Sequence, residues 1–194
     1  RYQKLCELPL KGILTTNFDT LLPGDPPTAN AFADLHSHRR PIWFSKPPVL
    51  KLHGQIGAGK NPPILAREDY RHRVYGGRGD YLALLKALFA THPIVFIGTS
   101  FTDAYLNELR SEVYSWFACR QDNEICAEGH PGWYAIMEDV SETRREYFKT
   151  YEGIDVISYP AGSDHAAFDE VLSEIHHEAS HTSRLKKRLG GKTV

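Results

Sequence analysis

Two short apolar runs, each ended by polar residues, constrain this chain more than any other feature. Residues 12–19 read GILTTNFD and residues 49–54 read VLKLHG. Runs this brief, stopped by side chains able to bind or react, are the pattern of buried parallel strands that deliver a site from their C-terminal ends. Asn17, Asp19 and His53 are therefore the first candidate functional residues. Each also has a plainer reading, Asn17 and Asp19 as turn and cap residues and His53 as a structural histidine. The position of His53, directly after an apolar strand and before Gly54, where backbone can come close to a ligand, favours the functional one.

The rest of the chain supplies the matching units. Residues 93–98 (PIVFIG), 133–137 and 154–159 read as further strands. Residues 81–90, with leucines at 82, 84, 85 and 88, predict a helix. Asp103 opens another, whose Tyr105, Leu106, Leu109, Val113, Trp116 and Phe117 are spaced for one apolar face. Ser141 caps a helix over 141–151, and Ser163 with Asp164 caps a last one over 166 to about 179. An amphipathic piece stopped by Pro9 opens the chain, and a short helix is expected over 68–75, before the glycine-rich break at 76–79. Residues 23–48 and 118–132 read as loops, the first long enough to close over a site, and residues 180–194 as a basic tail or linker after a domain of residues 1–179. Strands alternating with helices at this spacing predict an α/β fold with a doubly wound parallel sheet. Ligands of such sheets sit outside the strands' C-terminal ends, where Asn17, His53, Thr99 and Ser100 fall.

Composition narrows the function classes. The 194 residues are 41% hydrophobic and 24% charged, with a formal net charge of -1, so nothing global draws the chain to nucleic acid or an acidic membrane. No apolar run approaches the roughly 20 residues that span a bilayer. Three cysteines, Cys6, Cys119 and Cys126, make no closed disulfide set and no CxxC pair, which fits a reducing, cytoplasmic setting. A zinc site from Cys119, Cys126 and His130 has irregular spacing and lacks a fourth ligand. Residues 54–60 fit GxxxxGK after a strand, but Asn61 stands where magnesium needs Ser or Thr, and Pro62 and Pro63 stand where the phosphate-binding helix would start. A glycine-rich turn is the better account. The basic cluster of His36, His38, Arg39 and Arg40 reads as a solvated loop.

The motifs TTNFD at 15–19, KLHG at 51–54, LAREDY at 65–70, YLALLKALFATHPIVFIGTSFTD at 81–103 and WYAI at 133–136 resemble the sirtuin-like family. The resemblance is to its zinc-less branch, found in bacterial anti-phage defence proteins, and runs from Gly12 to about Ile175 with the motifs in the family's order. It implies a Rossmann-like domain that takes NAD as substrate and needs no zinc. It further implies Asn17, Asp19 and His53 as catalytic residues, and Thr15, Thr16, Phe18, Gly54, Gly98, Thr99 and Ser100 as NAD-binding ones. The expected reaction is NAD glycohydrolysis, with NAD-dependent protein deacylation and non-catalytic NAD or ADP-ribose binding as the alternatives. Two departures stand out: the family's N-terminal glycine-rich β-α unit is missing from this chain, and so is the four-cysteine zinc module of the deacylating sirtuins. The start at Arg1 suggests a piece of a longer protein, and the resemblance implies a sensor or oligomerisation domain and a homo-oligomer as partners.

Overall fold

The computed structural model of the chain describes residues 2–22, 49–56, 63–66, 68–69, 71, 80–121, 124–127 and 129–189. It has an α/β fold whose core strands run parallel and are flanked by helices. The chain divides into two units, Arg1–Tyr81 with Phe168–Val194, and Leu82–Ala167.

The first unit opens with helix α1 (Tyr2–Glu7), where Gln3 donates to Glu7 one turn on at 3.1 Å. Pro9 cannot continue the helix, and the amide of Leu10 turns back onto the carbonyl of Leu8 at 2.7 Å. Strand β1 (Ile13–Thr15) then pairs parallel with β2 (Val49–Lys51), with Ile13 opposite Val49, Leu14 opposite Leu50 and Thr15 opposite Lys51. Among the described residues, Leu8, Leu22, Leu52 and Leu172 are the buried apolar side chains of this unit. Leu172 comes from the C-terminal helix, and Lys4 on α1 donates to its Ser173 at 3.3 Å.

The second unit is a three-stranded parallel sheet with helices in the crossovers. Helix α2 (Asp80–Thr91) leads into β3 (Ile94–Ile97), α3 (Ala104–Ser115) follows, then a hairpin of β4 (Ala118–Gln121) and β5 (Glu124–Ala127), then β6 (Trp133–Glu138), α4 (Glu142–Glu152) and β7 (Ile154–Tyr159). The sheet order is β3-β6-β7, with β6 central. Ile94, Trp133 and Ile154 lie in one register row and Phe96, Ala135 and Val156 in another. Residues two apart share a face of a strand, so these rows build one apolar surface, and Trp133, Ala135, Ile154 and Val156 are all buried. Leu84, Leu85 and Phe89 of α2, Leu109 and Val113 of α3 and Phe148 of α4 are buried in the same unit. Trp133 is its hub: the indole N–H donates to the Phe89 carbonyl at 3.2 Å, and the Phe89 ring meets the indole edge-on at 5.6 Å. Helix α4 ends at Gly153, whose φ of 65° closes the turn into β7. A Cβ on Gly153 would run into the Tyr114 ring.

The structure corrects the sequence reading in four places. Residues 118–132 are not simply a loop: β4 and β5 form an antiparallel hairpin in which Cys119 and Cys126 are Cα partners. Trp116 is exposed rather than on the apolar face of its helix, because α3 stops at Ser115, while Arg110 is buried on that helix instead. Ser163 and Asp164 do not lead directly into the last helix. They belong to a 3-10 turn, Ser163–His165, in which Asp164 and His165 take positive φ before helix α5 (Ala166–Leu189) begins. That helix also continues well past residue 179. The expected loop over 23–48, the turn over 57–62, the 76–79 break and most of the 68–75 helix lie outside the described residues.

His130 sits among the rings of Tyr114, Phe117 and Trp133, with centroids at 5.5, 5.4 and 4.5 Å. Its Nδ1 accepts from the Gly132 N–H at 3.2 Å, and desolvation among the rings pushes its pKa below the usual histidine value. The unfolded chain therefore takes up this proton more readily than the folded one, so stability is lost as pH falls from about 6.5. Chemical denaturation across pH 5–8 should show that loss, and His130→Gln should reduce it; an unchanged slope would contradict the assignment. Gly153→Ala should cost about 1–3 kcal/mol, from the left-handed backbone and the encounter with Tyr114. Denaturation midpoints measure this, and a neutral substitution would count against the packing described.

Candidate functional site

In the first unit, parallel pairing brings the ends of β1 and β2 to one edge. Because both strands run the same way, the segments that leave them, Thr16 to Asp19 and Leu52 to Gly54, emerge side by side. The amide of Leu52 donates to the Thr15 carbonyl at 2.8 Å and continues the ladder past β2. One residue beyond, His53 turns out of the sheet, and the amide of Gly54 folds back to the Lys51 carbonyl at 3.1 Å with a φ of 82°. A positive φ explains glycine at this position without invoking a phosphate-binding loop.

The 16–19 segment is fixed by its own polar groups. The Asn17 amide donates to Thr15 Oγ1 at 3.2 Å, and the Leu21 amide donates to Asp19 Oδ1 at 2.9 Å, an Asx-type turn. The amide of Ile56 reaches the Phe18 carbonyl at 2.9 Å, tying the turn to the chain that follows His53. Lys51, fully buried, donates from Nζ to the Asp19 carbonyl. Asn17 and Phe18 are exposed at this edge, whereas Thr15, Thr16, Asp19 and His53 are partly covered and Gly54 is buried. The His53 ring keeps Nε2 away from solvent, and its backbone carbonyl accepts from the Ile64 amide at 2.7 Å. The structure thus brings together Thr15, Thr16, Asn17, Phe18, Asp19, His53 and Gly54.

The remaining three predicted residues, Gly98, Thr99 and Ser100, lie in the second unit, in the turn between β3 and α3. All three are exposed. Gly98 has a φ of 64° and open space where a Cβ would stand, so conformation and not crowding calls for glycine. Phe101 has a φ of 56°, a region that aromatic residues rarely occupy. Its surroundings hold it there. The ring packs against Phe96 and Phe148 at 5.3 and 5.0 Å, the Arg110 guanidinium lies 5.4 Å above it, and Asn107 Nδ2 donates to its carbonyl at 2.5 Å. Arg110 is in turn paired with Glu152 on α4 at 2.6 Å. Asp103 then caps α3, accepting from the amides of Tyr105 and Leu106, both at 3.0 Å. Ser100 and Thr102 share a hydroxyl contact of 2.7 Å.

Sequence reasoning passed over Lys51, Phe101, Asn107 and Arg110, although Lys51 and Phe101 lie inside the quoted motifs. A lysine ending an apolar strand and an arginine on the apolar face of a helix were the signals available, since neither belongs in a core without a partner. The thiols of Cys119 and Cys126 fall outside the described atoms. Among the described residues, no three His, Cys, Asp or Glu side chains are grouped to hold a metal ion, and no helix is long and apolar enough to cross a membrane.

Replacing the cap of α3 should loosen the turn that carries Gly98 to Ser100. Asp103→Ala is expected to cost about 1 kcal/mol of stability, read as a lower denaturation midpoint, with faster amide exchange at Tyr105 and Leu106. Unchanged exchange at those two amides would contradict the cap.

A search among curated proteins returned no match to the chain. The family model described as the SIR2-like domain matches residues 11–157, from the residue before the GILTTNFD run into the last strand of the second unit. That match covers more than half of the sequence and includes both groups of predicted site residues. With its parallel α/β core and with these motifs at the strands' C-terminal ends, the chain belongs to the SIR2-like domain family.

Proposed function

We propose that this domain hydrolyses NAD+ to nicotinamide and ADP-ribose, as the effector part of a bacterial anti-phage defence protein. The observation that carries the reading is the edge formed by β1 and β2, where Asn17, Asp19 and His53 leave neighbouring parallel strands of a SIR2-like domain. Glycosidic cleavage of NAD+ passes through an oxocarbenium-like state, which calls for a held ribose, a leaving group that departs neutral and a base for the incoming water. Imidazole is the side chain suited to exchanging a proton near neutral pH, so His53 is assigned the base. Asn17, exposed at the edge, would orient the ribose and the water, and Asp19 would hold the nicotinamide end. Thr15, Thr16, Phe18 and Gly54 would line the same end, and Gly98, Thr99 and Ser100 are proposed as further NAD-binding residues.

The balance is simple. The bond between ribose C1 and the nicotinamide nitrogen breaks, and its electron pair leaves with nicotinamide. A water oxygen bonds to C1, and its proton passes to His53 and on to solvent. No covalent enzyme intermediate is required. Three cysteines are one short of the zinc module that the resemblance associates with protein deacylation, which supports hydrolysis over acyl transfer. A sensor or oligomerisation domain and self-association would govern when the activity is released.

The test is nicotinamide release from NAD+ by the purified full-length protein, with no acylated peptide present. His53→Ala and Asn17→Ala should each lower the rate by about 100-fold or more, with the folded state retained. A strict requirement for an acyl-lysine peptide would make the protein a deacylase. NAD+ binding without turnover would make it a binding module.

A further inference from the structure

Lys51 is the last residue of β2, stands opposite Thr15, and has no exposed surface. A lysine is among the residues least often found in that state, because burying an amine is costly unless polar groups receive it. A methionine of similar length would fill the same space without that cost. The amine instead donates to the backbone carbonyl of Asp19. That carbonyl belongs to the peptide joining Asp19 to Thr20, so gripping it fixes the plane in which the Asn17 to Asp19 turn ends. Asp19 is also the residue whose carboxylate receives the Leu21 amide at 2.9 Å, so backbone and side chain of one residue are both held. Two residues beyond Lys51, the same backbone carries His53. The strand that presents the candidate base therefore also anchors the turn that presents the candidate ribose-orienting group.

We infer that Lys51 is a positioning residue: its buried amine, bonded to the Asp19 carbonyl, locks the 17–19 turn to the strand that bears His53. It touches no reacting atom and acts through the turn. The kinetic part of this inference rests on the NAD+ hydrolysis proposed above, whereas the structural part does not.

The experiment compares full-length wild type, Lys51→Met and Lys51→Arg by three measurements: nicotinamide release from NAD+, thermal stability, and amide hydrogen exchange at Asn17 and Leu21. Lys51→Met should lower kcat about 10- to 100-fold with KM within about twofold, because a displaced group costs rate more than affinity. Its melting temperature should equal or exceed that of wild type. Exchange at Asn17 and Leu21 should quicken by about tenfold or more, and Lys51→Arg, which keeps a donor, should recover part of both losses. Wild-type kcat and unchanged exchange in Lys51→Met would overturn the inference while leaving the hydrolase reading intact. A Lys51→Met protein that does not fold would overturn it too, since the lysine would then serve the whole fold. Faster exchange in the variant, beside a wild type that releases no nicotinamide, would support the positioning role and sink the hydrolase reading instead.

Discussion

Three backbone pairs, Ile13 with Val49, Leu14 with Leu50 and Thr15 with Lys51, support the first group of candidate site residues. Parallel pairing is what matters about them. Antiparallel strands would send Asn17 and His53 to opposite edges, whereas parallel ones release both segments at the same edge, where loops can be shaped for chemistry without disturbing the ladder. A pairing of three residues is short, and the structure extends it: the Leu52 amide continues the ladder onto Thr15, and bonds from Ile56 to Phe18 and from Lys51 to Asp19 tie the turns together beyond it. Polar groups of the turns thus do part of the work that a longer ladder would do.

The second unit solves a similar problem by other means. Its sheet is organised around Trp133, which packs on Phe89 and bonds to its carbonyl, so helix α2 and strand β6 are fixed together by apolar area and one directional bond. At the C-terminal end of β3, the exposed Gly98 to Ser100 turn is backed by a partly buried layer. Phe101 is held in an uncommon backbone state by Phe96, Phe148, Asn107 and Arg110, and the Arg110 to Glu152 pair joins α3 to α4 behind it. Strain of this kind persists only where the surroundings fix it, and it is commonly found beside functional loops.

Much of this was legible because the determining signals are local. The apolar runs at 93–98, 133–137 and 154–159 mark three strands, the leucines at 82, 84, 85 and 88 mark α2, and Ser141 caps the helix it was expected to cap, while Asp103, expected only near the start of its helix, is the cap of α3. Family motifs such as TTNFD, KLHG and GTS gave the candidate residues, and the matched range encloses them. What stayed hidden depends on contacts distant in sequence. Nothing near Lys51 reveals that its amine meets a carbonyl 32 residues away, and nothing near Arg110 reveals Glu152. The hairpin at 118–127 was missed because its strands are four residues each, too short for a period-two pattern to stand out from a loop. The 3-10 turn that precedes the last helix, in which Asp164 takes a left-handed backbone, was not foreseen either.

The central claim is that the edge formed by β1 and β2 is where NAD+ is cleaved. A crystal structure of the full-length protein with a non-cleavable carbocyclic NAD+ analogue tests it most directly. The nicotinamide and its ribose should lie against Asn17, Asp19 and His53, within hydrogen-bonding reach of at least one of them. An analogue bound elsewhere on the protein, with that edge empty, would contradict it.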